Sequence, residues 1–240
     1  MSSVGDNITS QLASWSFAGP VADSFDEHVS RSVPGYFDGH NLITYLSDFF
    51  LACKSPLIVD IGCSTGSLLE KIHTRHSLRP DINYLGIDPV EEMIKVASAR
   101  DFSRLDHVDF VTDNVLNVDL QREASLVVSY YTLQFIHPSI RQETVNWIFN
   151  ALSWGGGLLL FEKIRMPDAR FQDYMTQSYN DFKLSKGYTH EEILTKSASL
   201  KGVLEPFSES GNLDLLKRAG FKDIAPVFQN IVFKGWLAIK

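Results

Sequence analysis

Apolar positions along this chain follow two rhythms. Short runs such as Leu57-Ile58-Val59-Asp60-Ile61, Ser125-Leu126-Val127-Val128-Ser129 and Leu158-Leu159-Leu160-Phe161 read as strands buried on both faces. Between them, spacings such as Leu68, Leu69 and Ile72 read as an amphipathic helix. Strands are predicted near 56–61, 82–87, 107–111, 124–129 and 157–163, with helices near 66–76, 90–100 and 138–152. This alternation predicts an α/β fold: a doubly wound, mostly parallel sheet covered by helices on both faces.

The flanks depart from that rhythm. Residues 1–36 read as an irregular leader with short helical pieces, and 38–53 as a helix packing on the core. The stretch 164–207, rich in Tyr, Phe, Gln and Lys, reads as two or three helices inserted after a core strand, a lid. Residues 208–240 read as a helix stopped at Gly220, then two strands near 222–228 and 231–239 forming an antiparallel hairpin. The organisation expected is a leader 1–40, a core 41–163, a helical insertion 164–207 and a C-terminal segment 208–240 completing the core.

Candidate chemistry gathers where the predicted strands end. Asp60 closes the first strand, and Gly62-Cys63-Ser64-Thr65-Gly66 turns into a helix. Glycines permit a sharp turn and close ligand approach, and a helix N-terminus offers unpaired N–H groups. Ile82-Asn83-Tyr84-Leu85-Gly86-Ile87-Asp88 ends a second strand in an acid, the position that commonly takes a ribose diol. Together they point to an adenosine-containing ligand. A dinucleotide turn carries a middle glycine for close pyrophosphate approach; this turn lacks it. Asp60 would repel phosphate and attract an α-ammonium, so an amino-acid-bearing adenosine, S-adenosylmethionine, fits best. Asp113-Asn114 after the third strand offers an acid–amide pair to an adenine edge, and the fourth strand ends in Tyr130-Tyr131-Thr132-Leu133-Gln134-Phe135.

Bulk properties narrow the classes. The chain has 240 residues, 44% of them hydrophobic, enough for one α/β domain with a real core. A formal net charge of −7 without a dense basic cluster argues against nucleic acid as a partner. The two cysteines, Cys53 and Cys63, form no C-x-x-C, which fits a reduced, cytoplasmic setting. The first 24 residues carry no signal-peptide pattern, and the longest apolar runs are too short to span a bilayer.

Over residues 40–165 the strand-tip pattern resembles the class I S-adenosylmethionine-dependent methyltransferases, which implies their Rossmann-like doubly wound sheet. The likeness extends further. Arg31-Ser32-Val33-Pro34-Gly35-Tyr36, Asp60-Ile61-Gly62-Cys63-Ser64, Tyr131-Thr132-Leu133-Gln134-Phe135, Glu162-Lys163, Asp181-Phe182-Lys183 and Lys217-Arg218-Ala219-Gly220-Phe221 resemble the carboxy-S-adenosylmethionine synthase family, in order, over about residues 25–240. By that resemblance Tyr36, Gly62, Cys63 and Ser64 map onto cofactor-contacting positions, as do Asp88, Pro89, Asp113 and Asn114. Asp60, Gly66, Met93, Tyr130 and Gln134 complete the candidate cofactor-binding set. The family also implies a homodimer. Two positions depart from its pattern: a ligand-binding Asn is replaced by Tyr130, and the Arg that pairs with the extra carboxylate aligns with Ser197, near Lys196 and Lys201. A lysine does not reproduce a bidentate arginine, so these departures point away from carboxymethyl chemistry.

The lid supplies further aromatics, and Tyr130, Tyr174 and Tyr179 are the candidate catalytic residues, boxing the sulfonium. No strong general base stands out among scattered histidines, and His73 and His76 lack a third ligand, so no metal site is expected. Glu162-Lys163 reads as an internal ion pair or as support behind the site. Three chemistries remain. Methyl transfer to a small molecule and intramolecular cyclisation of S-adenosylmethionine to azetidine-2-carboxylate rank together, with S-adenosylmethionine as cosubstrate or sole substrate. Carboxymethyl chemistry ranks third. A non-catalytic S-adenosylmethionine sensor is the reading outside the enzymes.

Overall fold

The computed structural model describes residues 2–3, 9–10, 12–19, 21–102 and 107–240. The rest of the expected leader, residues 1, 4–8, 11 and 20, lies outside the described residues. A seven-stranded sheet forms the centre: β1 Leu57–Ile61, β2 Asn83–Ile87, β3 Val108–Val111, β4 Ala124–Tyr130, β5 Leu152–Lys163, β6 Asp223–Asn230 and β7 Phe233–Ile239. Their order is β3-β2-β1-β4-β5-β7-β6, parallel from β3 to β5, with β7 antiparallel to both β5 and β6. This is the architecture of the class I methyltransferases.

Alternation along the central strands feeds two cores. Ile58, Leu126, Val128, Leu159 and Phe161 pack on one face with Ile43, Leu69 and Ile72. Val59, Ile61, Val127, Leu158 and Leu160 pack on the other with Val145, Ile148, Leu215 and Leu216. The helices covering these faces are α2 Tyr36–Ser47, α3 Ser67–Arg75 and α4 Glu91–Ser98 on the first side, with α5 Arg141–Ala151 and α8 Glu209–Ala219 on the second. Every residue of β1 and β4 is buried, which accounts for their unbroken apolar character.

The chain leaves β1 toward β2 in one direction and returns through β4 on its other side. The loops after β1 and β4 therefore diverge, and a crevice opens above the strand ends between them.

Two features differ from expectation. The leader contains a full twelve-residue helix, α1 Val21–Ser32, rather than short pieces. Strand β5 begins at Leu152, five residues before the expected 157, because a register shift between Ala124 and Leu126 lets Leu152 pair with Ala124 of β4. The insertion holds two helices, α6 Ala169–Ser185 and α7 His190–Ser199. Asp168 caps α6, and a reciprocal Thr189–Glu192 box opens α7. Among the described residues no helix is long and apolar enough to cross a membrane.

Candidate active site

A cavity of about 400 Å³ occupies the crevice. The β1 turn forms its floor. Gly62 takes φ +69°, and a Cβ there would lie 2.4 Å from Thr132 Oγ1. Cys63 and Ser64 line the cavity beside it. Gly66 does not, contrary to the ligand contact expected of it. It holds φ +74°, and a Cβ there would lie 3.0 Å from that of Ala97, so it lets α3 start close against α4.

Two acids line the cavity at the tips of β1 and β2. Asp60 is buried, and its Oδ1 has no hydrogen-bond partner among the described residues. Burial and then the charge of Asp88 push its pKa well above the usual carboxylate range. Asp88 is held instead: Oδ1 accepts from the Val90 N–H and Oδ2 from the Ser64 N–H, each at 2.9 Å. Burial raises its pKa, and those two N–H groups oppose the rise. Each oxygen keeps a second lone pair for a diol.

Pro89, Met93, Asp113 and Asn114 line the same cavity. The Ser64 hydroxyl donates to Met93 Sδ at 3.3 Å. Asp113 Oδ1 accepts from the Asn114 N–H and from Asn117 Nδ2, both at 2.7 Å, while Asn114 Oδ1 caps the Leu116 N–H at 3.0 Å. The acid–amide pair thus fixes its own turn without help from a ligand.

Tyr36, Tyr130 and Tyr131 form an aromatic wall. The Tyr130 hydroxyl donates to the Tyr36 carbonyl at 2.6 Å, and its ring sits 4.4 Å from Tyr131, 4.9 Å from His40 and 5.1 Å from Phe161. It occupies space opened by Gly39, where a Cβ would come within 2.2 Å of the hydroxyl oxygen. With that hydroxyl committed and its pKa raised by burial, Tyr130 offers the cavity a ring rather than a base. Gln134 lines the cavity while bracing it: Nε2 donates to the Tyr131 carbonyl at 3.1 Å, and Oε1 accepts from the Lys163 N–H at 2.9 Å.

The lid separates its two candidate tyrosines. Tyr179 lines the cavity and donates to the Ser32 carbonyl at 2.8 Å. Tyr174 does not line it and is 58% exposed. Five residues apart on α6, the two point about 140° apart, so one helix cannot present both to the same site. Ser197 faces outward, as does Lys201, whereas Lys196 lines the cavity. Its ammonium donates to Ser32 Oγ at 2.8 Å and meets His28 Nε2, joining α7 to α1.

Sequence reasoning left out three contributors. His40 lines the cavity with Nε2 unpartnered among the described residues, and burial lowers its pKa to about 3, so the imidazole is neutral. Trp15, Phe17 and Phe25 of the leader close one side, Phe17 lying 4.9 Å from Phe135. Lys163 also lines the cavity, and of the two readings of Glu162-Lys163, an ion pair or support behind the site, the ion pair does not form. Adjacent strand residues point to opposite faces, and Glu162 accepts instead from the Leu133 N–H at 3.0 Å.

Burial pushes Glu162 up to about 8, against the pull of Arg141. A carboxyl raised above its unfolded value holds its proton longer in the fold. Its contribution to stability is therefore full at acid pH and lost as pH rises toward about 8. Glu162→Gln, which keeps the acceptor for Leu133, is expected to flatten the fall of stability with pH, read by urea unfolding across that range. An unchanged slope would assign the fall to other groups.

Known proteins share this fold and much of this sequence. A family described as "Methyltransferase domain" matches residues 58–156. The carboxy-S-adenosyl-L-methionine synthase of Staphylococcus epidermidis is 36% identical over 94% of this chain and 97% of its own length. That of Campylobacter lari is 35% identical over 93% and 94%. Among solved structures, the plantazolicin methyltransferase BpumL, in complex with a triazolic desmethylPZN analog and SAH, superposes with a TM-score of 0.64 at 16% identity, covering 90% of each chain. Human N-acetylserotonin methyltransferase, in complex with SAM, gives 0.52 at 21% identity over 83% of this chain and 51% of that one.

Proposed function

The chain belongs to the carboxy-S-adenosyl-L-methionine synthase family within the class I methyltransferase fold, and from that premise we propose an enzyme that binds S-adenosylmethionine in the strand-tip cavity and activates it toward a small molecule. The unpaired oxygen of buried Asp60 carries this reading. A buried acceptor without a donor is costly, and an α-ammonium supplies both hydrogen bond and counter-charge. Asp88, preorganised by two backbone N–H groups, would take the ribose diol.

In this pose the sulfonium lies toward Tyr36, Tyr130 and Tyr131. A cation over an aromatic face gains about 0.5–2 kcal/mol. The sulfonium is already a good leaving group, so in-line positioning of a nucleophile supplies most of the acceleration. The neutral imidazole of His40 and the committed hydroxyl of Tyr130 leave no strong base at this wall, which favours a nucleophile needing little activation.

A second reading rests on the leader aromatics that close one side of the cavity. If those aromatics leave no room for an acceptor, the α-amine itself becomes the nucleophile. It gives a proton to Asp60, whose raised pKa suits it to receive one, and attacks the γ-carbon. The carbon–sulfur bond breaks, methylthioadenosine leaves with the electron pair, and azetidine-2-carboxylate forms.

Mass spectrometry of purified protein with S-adenosylmethionine, alone and with candidate acceptors, separates these chemistries. Methylthioadenosine from S-adenosylmethionine alone is the mark of cyclisation, acceptor-dependent S-adenosylhomocysteine that of methyl transfer, and a carboxylated product with prephenate that of the family reaction. Asp60→Asn is expected to weaken S-adenosylhomocysteine binding tenfold or more by calorimetry, about 1.4 kcal/mol or above. Wild-type protein that binds neither ligand would overturn the reading.

A further inference from the structure

The cavity is charged differently at its two ends. Asp60 and Asp88 stand at the tips of β1 and β2, while Lys163 at the tip of β5 and Lys196 on α7 line it elsewhere. Lys196 already donates to Ser32 and contacts His28. Lys163 is different. Its ammonium rests 4.5 Å from the centroid of the Tyr179 ring and 5.9 Å from that of Phe233. The ammonium of Lys183 lies 4.3 Å from the same Tyr179 ring. Among the described residues no carboxylate lies within the 4.0 Å ion-pair distance of Lys163, and its neighbour Glu162 points to the opposite face of the sheet.

A buried lysine, Lys183, and a half-buried one, Lys163, sharing one aromatic ring without an acid between them is an unfavourable arrangement for an empty site. Cation–π contact offsets only part of the lost hydration. Burial, then the charges of Lys183, Arg165 and Lys201, lower the Lys163 pKa to about 8, so it remains mainly protonated at neutral pH. An anion entering the cavity would restore the missing partner. The Gln134 amide fixes the Lys163 backbone to that of Tyr131, which holds the lysine at a set distance from the aromatic wall.

We propose that Lys163 is the carboxylate receptor of this cavity. Given the S-adenosylmethionine reading above, on which this rests, the carboxylate is that of the amino-acid tail or that of a second, acidic small-molecule substrate. The geometry selects a ligand with its ammonium at the acidic strand tips and its carboxylate at β5. Lys163 acts there as a point charge, so it accepts a carboxylate without demanding the planar fork an arginine would read.

Calorimetry with S-adenosylhomocysteine and its decarboxylated form, which keeps the amine, isolates the carboxylate. If the tail is the ligand, wild-type protein prefers the carboxylated form tenfold or more, and Lys163→Gln abolishes that preference. If a second substrate is the ligand, the preference is untouched, and Lys163→Gln removes binding of phenylpyruvate to the S-adenosylhomocysteine complex. In wild-type protein the carboxylate-dependent part of the affinity falls as pH passes about 8, a readout that stands even if the variant folds poorly. An unchanged preference and unchanged phenylpyruvate binding in Lys163→Gln, or no fall with pH, overturns the proposal. Failure of wild-type protein to bind either nucleoside overturns the S-adenosylmethionine reading instead.

Discussion

Replacing Arg141 with methionine is expected to lower the free energy of unfolding by about 3–5 kcal/mol. Arg141 opens α5 and is 2% exposed. Its guanidinium donates to the carbonyls of Ile136 at 2.7 Å, Glu205 at 2.8 Å and Gln134 at 3.1 Å, and lies 4.3 Å from the Phe207 ring. Methionine matches the apolar stem but leaves the Ile136 and Glu205 carbonyls without that donor. The Gln134 carbonyl keeps one, the Glu205 N–H at 3.0 Å. Because these carbonyls belong to the loop after β4 and to the chain leaving the lid, the variant should also loosen the cavity roof. Urea unfolding measures the first effect and protease sensitivity near residue 205 the second. A loss below about 1 kcal/mol, the net value of one ordinary hydrogen bond, would mean that water replaces the guanidinium at little cost.

Gly62→Ala is expected to weaken S-adenosylhomocysteine binding by a hundredfold or more while the protein stays folded. The added Cβ would meet Thr132 Oγ1 at 2.4 Å and Cγ2 at 2.5 Å, at a φ of +69°. Left-handed backbone costs a side-chain-bearing residue about 1–2 kcal/mol, and overpacking a further 1–3 kcal/mol. The turn relieves this by moving. That movement also shifts Thr132, whose hydroxyl donates to the Ile61 carbonyl at 2.8 Å, and so displaces both loops of the crevice. Calorimetry reads the affinity, and unfolding with and without ligand separates a displaced turn from a destabilised chain. Wild-type affinity in this variant would place the ligand away from the turn.

The centre of the sheet was legible because β1 and β4 are buried on both faces and read as nearly unbroken apolar runs. The acids closing β1 and β2 were legible for the same reason, since a charge ends such a run. Helix α1 was not, because Asp, Ser and His fill much of it and only Val21, Ala22, Phe25 and Val29 mark its apolar side. Its helical state comes from packing on the cavity wall rather than from propensity. The phase of α6 was hidden too: among its residues only Lys183 is buried, so no apolar stripe told Tyr179 from Tyr174. At Glu162-Lys163 an acid beside a lysine looks like a pair in sequence and becomes two faces in a strand. His40 gave no signal beyond its own type, as its role comes from its neighbours in space.

Gly39 and Tyr130 make one lexical unit spread over ninety residues of chain. The phenol at the tip of β4 exists in this protein because α2 carries nothing but hydrogen at position 39, where any Cβ would fall within 2.2 Å of the hydroxyl oxygen. Glycine inside a helix costs about 1 kcal/mol relative to alanine, and the room it yields is filled by that phenol. The two positions must therefore change together. A bulkier residue at 39 is expected to require a smaller residue than tyrosine at 130. Read jointly, these two letters are expected to report the shape of this wall from an amino-acid sequence alone.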